Sequence, residues 1–456
     1  MKTFENQFEE LLAGDDGGRA MHDLVAELYP ICRSITGDGV RETLSKIGRY
    51  IPLKMHEVPT GVQVFDWTIP NEWNIEDAYI KDSSGRRIVD FRNSNLHVIG
   101  YSVPVHSRVG LAELREHLIS DPEHPEWIPY RTSYYRPTWG FCLTHNQLLA
   151  LQEDEYEVCI DSSLKPGHLT YGELFIAGTS GDQVLISCHV CHPSLANDNL
   201  SGIVVATALA QYLGRKENKY SYRFLFVPGT IGAIAWLALA GRARMNIAHG
   251  FVLTCVGGHG SPTYKSSRRG DAEIDHAWQY VLEQSGRRFN AVPFSPFGYE
   301  ERQYCSPGFD LPVGCFMRTH GGSFQEYHTS ADDVNLVRPE ALYDSFQSAL
   351  TVIDVLETNE HYVNQKPYGE PKLGNQNLYD SVGGQLPDDA RMALLWLLNM
   401  SDGKTSVLEI AARSGLPWNA IKAGLRALTS ADLLKVVSER QRYTRRKRKF
   451  EDKPAQ

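Results

Sequence analysis

Several features are missing from this 456-residue chain, and each absence excludes a class of protein. No stretch of about 18 apolar residues occurs, so no membrane-spanning helix is expected. The first residues, MKTFENQFEELLAGDDGG, are polar and acidic. They lack a basic start followed by an apolar run, so no secretory signal is read and a cytoplasmic location is expected. No internal repeat is found, which sets aside solenoids and propellers. Cysteine is sparse: Cys32, Cys142, Cys159, Cys188, Cys191, Cys255, Cys305 and Cys315 are the eight. Scattered among apolar residues, they are expected to be reduced thiols rather than a disulfide framework. Positive charge is also short. The net charge of −9 makes the whole chain a poor general polyanion binder.

The hydrophobic share is 42%, enough for sizeable cores. At about 150 residues per domain, the length allows roughly three domains. The charge is uneven. From Leu434 to Phe450, eight Lys and Arg face only Glu439, a local +7, so the remainder carries −16.

Read along the chain, helical apolar spacing runs from about Ala20 to Ile51, broken by SITGDG at 34–39. From 58 to 149 the chain turns rich in Trp, Tyr and Pro with short alternating runs, such as VQVFDWTIP and NLHVIGYSVPV. These predict a β-rich module with one helix near 110–119. From 150 to 365, apolar strands alternate with helical patterns. QVLISC leads through a polar loop to a helix over 202–213; YRFLFVPG leads to a helix over 231–240. FVLTCVG precedes a helix at 271–285, and VGCFMRT precedes one over 339–357. The alternation predicts an α/β core with a largely parallel sheet, and ligand sites outside the carboxyl ends of its strands. A Pro, Gly and Asn stretch at 362–377 reads as a linker. Three helical patterns and a strand pair follow over 380–450, the pattern of a winged helix.

The chemistry concentrates in SCHVCHPSLANDNLSG (187–202), between a strand and a helix. His189, His192 and Asp198 on one loop offer the imidazole and carboxylate donors that Zn²⁺ takes, with a position left for water in catalytic sites. CHVCH at 188–192 also fits the C-x-x-C-H haem-attachment pattern, but that chemistry needs an exported chain. A second segment, EYHTSADD (326–333), follows VGCFMRT and a Gly-rich loop, and places His328 two residues after Glu326.

Together these segments resemble the M28-type zinc aminopeptidases. Those carry H-x-D, then D-N-x-S-G, then a Glu-Glu pair after the next strand, an Asp after the following strand and a final H-T-x-x-D. A closer resemblance is to the bacterial aminopeptidase-like proteins of the DUF4910 and DUF2172 families, through PICRSITGDGVR, VPTGVQVFDWTIPNEWNI, IPYRTSYY, CHPSLANDNLSG, ERQYCSPGF and EYHTSADD. The resemblance implies a zinc-exopeptidase-like mixed sheet flanked by helices. That core would be built from 18–57 and 150–365, with an inserted β-rich domain at 58–149 and a C-terminal winged helix at 380–450. It also implies His189, Asp198 and His328 as metal ligands. Three departures accompany it. Cys191 stands where the aspartate orienting the first histidine is expected. Pro228-Gly229-Thr230-Ile231-Gly232 carries no carboxylate where the Glu-Glu pair belongs. Thr254-Cys255-Val256-Gly257 lacks the aspartate after the third strand. One Zn²⁺ is therefore expected rather than two.

The expected activity is metal-dependent hydrolysis of a peptide or small amide by a metal-activated water. A proton acceptor for that water is sought among Glu326, His192, Glu301 and Glu300. If residues 326–328 are extended, Glu326 shares the His328 side. Arg302, Tyr304 and Arg318 are candidate groups for holding a substrate carbonyl or carboxylate. Two other readings compete: a metal-binding protein that has lost catalysis, or a regulator whose winged helix binds DNA or a protein. Lys422 and Arg426 with the tail at 445–449 carry the nucleic-acid case. A homo-oligomer is left open, and no membrane partner is expected.

Overall fold

The computed structural model describes residues 16–241, 246–319, 322–373 and 388–437. The basic tail at 445–449 and the Arg-rich half of the expected strand pair lie outside the described residues. Contacts divide the chain into two compact units. The first takes the described residues to Asp275 together with Arg288–Leu350; the second takes His276–Arg287 and the described residues from Thr351. No helix among the described residues is long and apolar enough to cross a membrane.

The first unit is organised by an eight-stranded mixed sheet. Its strands in chain order are β1 Lys54–Pro59, β2 His168–Ile176, β3 Gln183–His189, β4 Ser221–Val227, β5 Ile247–Leu253, β6 Thr263–Lys265, β7 Asn290–Val292 and β8 Val313–Met317. Across the sheet they run β1-β2-β4-β3-β5-β8-β6-β7. The centre is parallel: β4, β3, β5 and β8 run together, while β1, β2 and β6 are antiparallel to their neighbours there. Every residue of β3 (QVLISCH) and β4 (SYRFLFV) is buried. Such near-continuous apolar strands are what a parallel sheet covered on both faces requires. The cover includes GIVVATALAQYL (Gly202–Leu213) and IGAIAWLAL (Ile231–Leu239), both almost wholly buried.

A separate four-stranded antiparallel sheet sits in the β-rich stretch, built from Arg87–Asp90, Glu72–Lys81, Glu155–Lys165 and Val105–Gly110 in that order. Glu155–Lys165 thus joins this sheet and not the core sheet. Its alternating burial, one side in and one side out, fits a half-covered antiparallel strand. The helix near 110–119 is one turn, Leu111–Arg115.

The N-terminal helices Gly17–Leu28 and Asp38–Ile47 flank the segment that braces the central loop. Arg33 is buried and donates to the carbonyls of His192 (2.7 Å), Leu28 (2.7 Å) and Pro193 (3.1 Å). A buried guanidinium that finds carbonyl acceptors avoids the cost of an unpaired charge and pins the loop at 192–193.

In the second unit, the stretch read as a linker begins as a strand, His361–Asn364. It pairs with Asp402–Ser406 and Leu434–Val436 in a three-stranded sheet. The alternation His-Tyr-Val-Asn is too short to outweigh the Pro and Gly that follow it, so the pattern hides the strand. Helices Asp388–Met400, Val407–Ser414 and Trp418–Ser430 complete the winged-helix set. Ser406 and Glu409 form a capping box, and Gly415 ends the middle helix in the left-handed region at φ 66°.

Candidate metal centre

β3 ends at His189, at the carboxyl edge of the parallel sheet, and its backbone leads straight into the loop. Sequence chemistry fixes that loop. The Asp332 carboxylate accepts the backbone N–H of Asn197 (2.6 Å) and of Asp198 (2.9 Å). Asn199 donates to the Leu253 carbonyl at the end of β5 (3.0 Å) and accepts from the Cys255 N–H (3.1 Å). Ser201 donates to the Asn197 carbonyl (2.6 Å) and accepts from the Val256 N–H (2.9 Å). A Cβ on Gly202 would meet the Leu253 carbonyl oxygen at 2.5 Å, so only glycine fits there. The DNLSG residues thus tie β3 to β5 and hold Asp198 still.

Three imidazoles converge on the Asp198 carboxylate, which has no solvent exposure. His189 Nε2 is 2.8 Å from Oδ1. His328 Nε2 is 3.0 Å from Oδ2, and His192 Nδ1 is 3.3 Å from it. Donor atoms of His189, His192 and Asp198 lie within 4.8 Å of one another. Two ligands each about 2 Å from a tetrahedral ion stand roughly 3.3 Å apart, so these separations suit a shared cation. Nitrogen and carboxylate donors are also the set zinc prefers.

The electrostatics agree. Burial works against the Asp198 charge, yet His192 and His189 hold its carboxyl well below the usual range. Burial also opposes a charged His189, but Glu300 and then Asp198 outweigh it and raise that ring to about 10. The site therefore attracts positive charge, which a cation supplies as well as a proton does. Burial pushes the His192 ring down, toward its neutral form. Its Nδ1–H donates to the Asp198 carbonyl (3.0 Å), which leaves a free lone pair on Nε2.

His328 comes from a turn and sits at φ 56°, a left-handed conformation uncommon outside glycine. Its carbonyl accepts the Tyr130 N–H at 2.7 Å. Tyrosines pack the imidazoles: Tyr299 stacks on His189 (5.3 Å, 9°), Tyr327 on His328 (3.9 Å, 13°), and Tyr130 meets His192 and His328 edge-on.

The structure thus brings together His189, His192, Asp198 and His328. It places the other candidates elsewhere or in other roles. Residues 326–328 form a turn, not an extended segment, so the argument that Glu326 shares the His328 side fails. Glu301 is buried in an ion pair with Lys265 and also accepts the Tyr299 N–H, so its charge is spent on structure. Tyr304 is fully buried with its hydroxyl on Ser187 (2.9 Å), inside the core. Arg318 pairs with Asp344 (2.7 Å) and donates to the Gly258 carbonyl (3.0 Å), so it is no free carboxylate reader. Among the described residues, the buried Arg302 Nε has no hydrogen-bond partner. Cys188 and Cys191 are buried, and Cys191 Sγ accepts from the Gly229 N–H (3.3 Å).

Glu300 is the residue whose place the pattern did not reveal. The sequence presents it only as a candidate proton acceptor. It is 1% exposed, its Oε2 lies 3.6 Å from His189 Nδ1, and among the described residues that oxygen has no other hydrogen-bond partner. A Cβ on Gly229 would meet Glu300 Oε1 at 2.6 Å. The missing side chain at 229 is the space the Glu300 carboxylate occupies. The three tyrosines gave no signal either, since aromatic residues in such positions read as core.

Residues 22–359 match the family described as a domain of unknown function, DUF4910, and residues 360–436 match a winged helix-turn-helix. A Clostridium acetobutylicum protein, provisionally named for polysaccharide biosynthesis with an aminopeptidase-like domain, is 48% identical over 92% of this chain and 97% of its own length. A crystal structure from the same organism, of a protein provisionally named a peptidase, is 45% identical with a TM-score of 0.89. It covers 95% of this chain and 100% of that one. The fold is also that of a zinc aminopeptidase from Bacillus subtilis, at 12% identity and TM-score 0.55 over 74% of this chain and 94% of that one. A peptidase M28 precursor from Shewanella amazonensis agrees at 14% and 0.52, over 77% and 96%. The chain belongs to the DUF4910 family: an aminopeptidase-like α/β fold followed by a C-terminal winged helix.

Proposed function

We propose that this chain is a metal-dependent hydrolase of peptide or small amide bonds, with one zinc site. The observation that carries the reading is the convergence of three imidazoles on one fully buried carboxylate at the edge of a parallel sheet. His189, Asp198 and His328 would hold the ion. Zinc, when bound, acidifies a water and polarises a carbonyl. Asp198 supplies negative charge without competing solvent. Glu300 faces the outer nitrogen of His189 and sets that ring's orientation, as carboxylates behind ligand histidines do. His192, neutral and with a free Nε2, accepts the proton of the attacking water. The packed tyrosines hold the imidazole rings in place.

A titration of purified protein tests this. About one zinc per chain is expected to bind, and a His189→Ala, His328→Ala double variant is expected to bind none. Retained binding in that variant would sink the site. Hydrolysis of aminoacyl amides and N-acyl compounds, with and without chelator, separates an enzyme from a metal-binding relic. N-acetylated amino sugars belong in the panel, because the Clostridium relative's name mentions polysaccharide biosynthesis and such sugars carry an amide.

A further inference from the structure

A pocket of about 200 Å³ lies beside the centre. Trp67, Tyr134, Tyr135, Gly229, Thr230 and Arg302 line it, with three isoleucines. Gly229 joins it to the metal centre, since a Cβ there would touch His189 Cβ at 3.2 Å. Tyr134 joins it on another side: its hydroxyl bonds that of Tyr130 (3.0 Å), whose ring meets His192 and His328. Trp67 and Tyr135 are 44% and 53% exposed and lie 5.4 Å apart, an open aromatic wall.

The charge of this pocket is one-sided. Arg302 lines it, and its buried Nε has no hydrogen-bond partner among the described residues. No Asp or Glu lines it. The adjacent acid, Glu300, sits behind Gly229 against His189 at 1% exposure. A buried guanidinium nitrogen without an acceptor is costly, and its planar fork suits a carboxylate. A substrate ammonium, by contrast, would meet a cation and no acceptor. The volume is below the roughly 300–1,000 Å³ of drug-sized sites, so it seats one residue or ring, not a long chain.

We propose that this pocket binds the free-carboxylate end of the substrate, with Arg302 reading the carboxylate and the Trp67–Tyr135 wall lying against a flat ring. The substrate class is then an N-acyl amino acid or similar acidic amide, not a chain presented by its free amine. This rests on the hydrolase reading above and narrows its substrate.

Calorimetry on the full chain, after chelator treatment, tests it with N-benzoylglycine and N-benzoylglycinamide, which differ only in a terminal carboxylate against a carboxamide. The acid is expected to bind about tenfold or more tightly than the amide, the worth of a hydrogen bond to a charged group. Arg302→Met removes that preference, bringing the affinity for the acid down to that for the amide. Arg302→Lys keeps part of it, because the charge remains and the fork is lost. Equal binding of acid and amide, no binding of either at millimolar concentration, or an undiminished preference in Arg302→Met would each overturn the proposal. If Arg302→Met binds neither compound because it misfolds, Arg302→Lys decides: an undiminished preference there overturns it. Failure of the metal reading shows separately, as absence of zinc uptake by protein that still prefers the acid.

Discussion

Replacing Gly229 by alanine asks whether the empty space at that position exists for Glu300. Gly229 is not among the positive-φ glycines, so no left-handed backbone bars alanine there. On chain entropy alone the change would stabilise by about 0.4–1 kcal/mol. The space says otherwise. The new Cβ lies 2.6 Å from Glu300 Oε1 and 3.2 Å from His189 Cβ, and both side chains are buried. Overpacking of this kind costs about 1–3 kcal/mol, so a net loss of roughly 1–2 kcal/mol is expected. The clash also pushes the carboxylate off His189. Disturbing a carboxylate behind a ligand histidine lowers metal affinity by about 10–100-fold. A urea midpoint and a zinc competition titration read the two effects. Glu300→Ala should lose similar affinity, and adding Gly229→Ala to it should cost little more, because the space has been vacated. A Gly229→Ala protein that is as stable as wild type and binds zinc equally well would refute the reasoning. So would strict additivity in the double variant.

Three further outcomes are expected. His192→Gln should retain zinc and lose hydrolysis; loss of the metal as well would make His192 a ligand instead of a proton acceptor. Glu72 is buried, yet Arg41 at 2.5 and 3.1 Å overcomes the burial and lowers its carboxyl from 4.5 to about 2. A folded pKa below the unfolded one gives stability that is present above about 4.5 and lost as pH falls toward 2. Thermal unfolding against pH should therefore be steeper in that window for wild type than for Glu72→Gln, and identical slopes would contradict it. Lys265→Met leaves the buried Glu301 carboxyl without its counter-ion, which should cost about 3–5 kcal/mol, partly restored by Glu301→Gln.

What the sequence revealed and what it hid follow from how far apart in the chain the partners lie. The strand–loop–helix around Gln183–Leu213 was legible because a fully buried parallel strand reads as an apolar run and the loop carries its donors together. His328 was reachable through its H-T-x-x-D context. Glu300 was named as an acid, but its contact with His189 joins residues more than a hundred positions apart, and no local period records it. The argument that set Glu326 beside His328 lost its premise, because residues 326–328 form a turn and not an extended chain. Arg318 and Glu301 looked free in the sequence only because their partners, Asp344 and Lys265, come from other elements. His361–Asn364 was lost to the Pro- and Gly-rich residues beside it.

The three imidazoles around Asp198 differ in their reach to water: side-chain exposure is 2% at His189, 14% at His192 and 30% at His328. For the zinc site proposed above, traffic of the ion would therefore have a direction. It would arrive and depart past His328, on a turn braced by the Tyr130 backbone and the Tyr327 ring. Rates of loading and stripping then depend on how readily that turn opens, while the equilibrium depends on the rigid side formed by His189 and the sheet. Substitutions at Tyr327 should change how fast a chelator empties the centre more than how tightly the centre holds its ion.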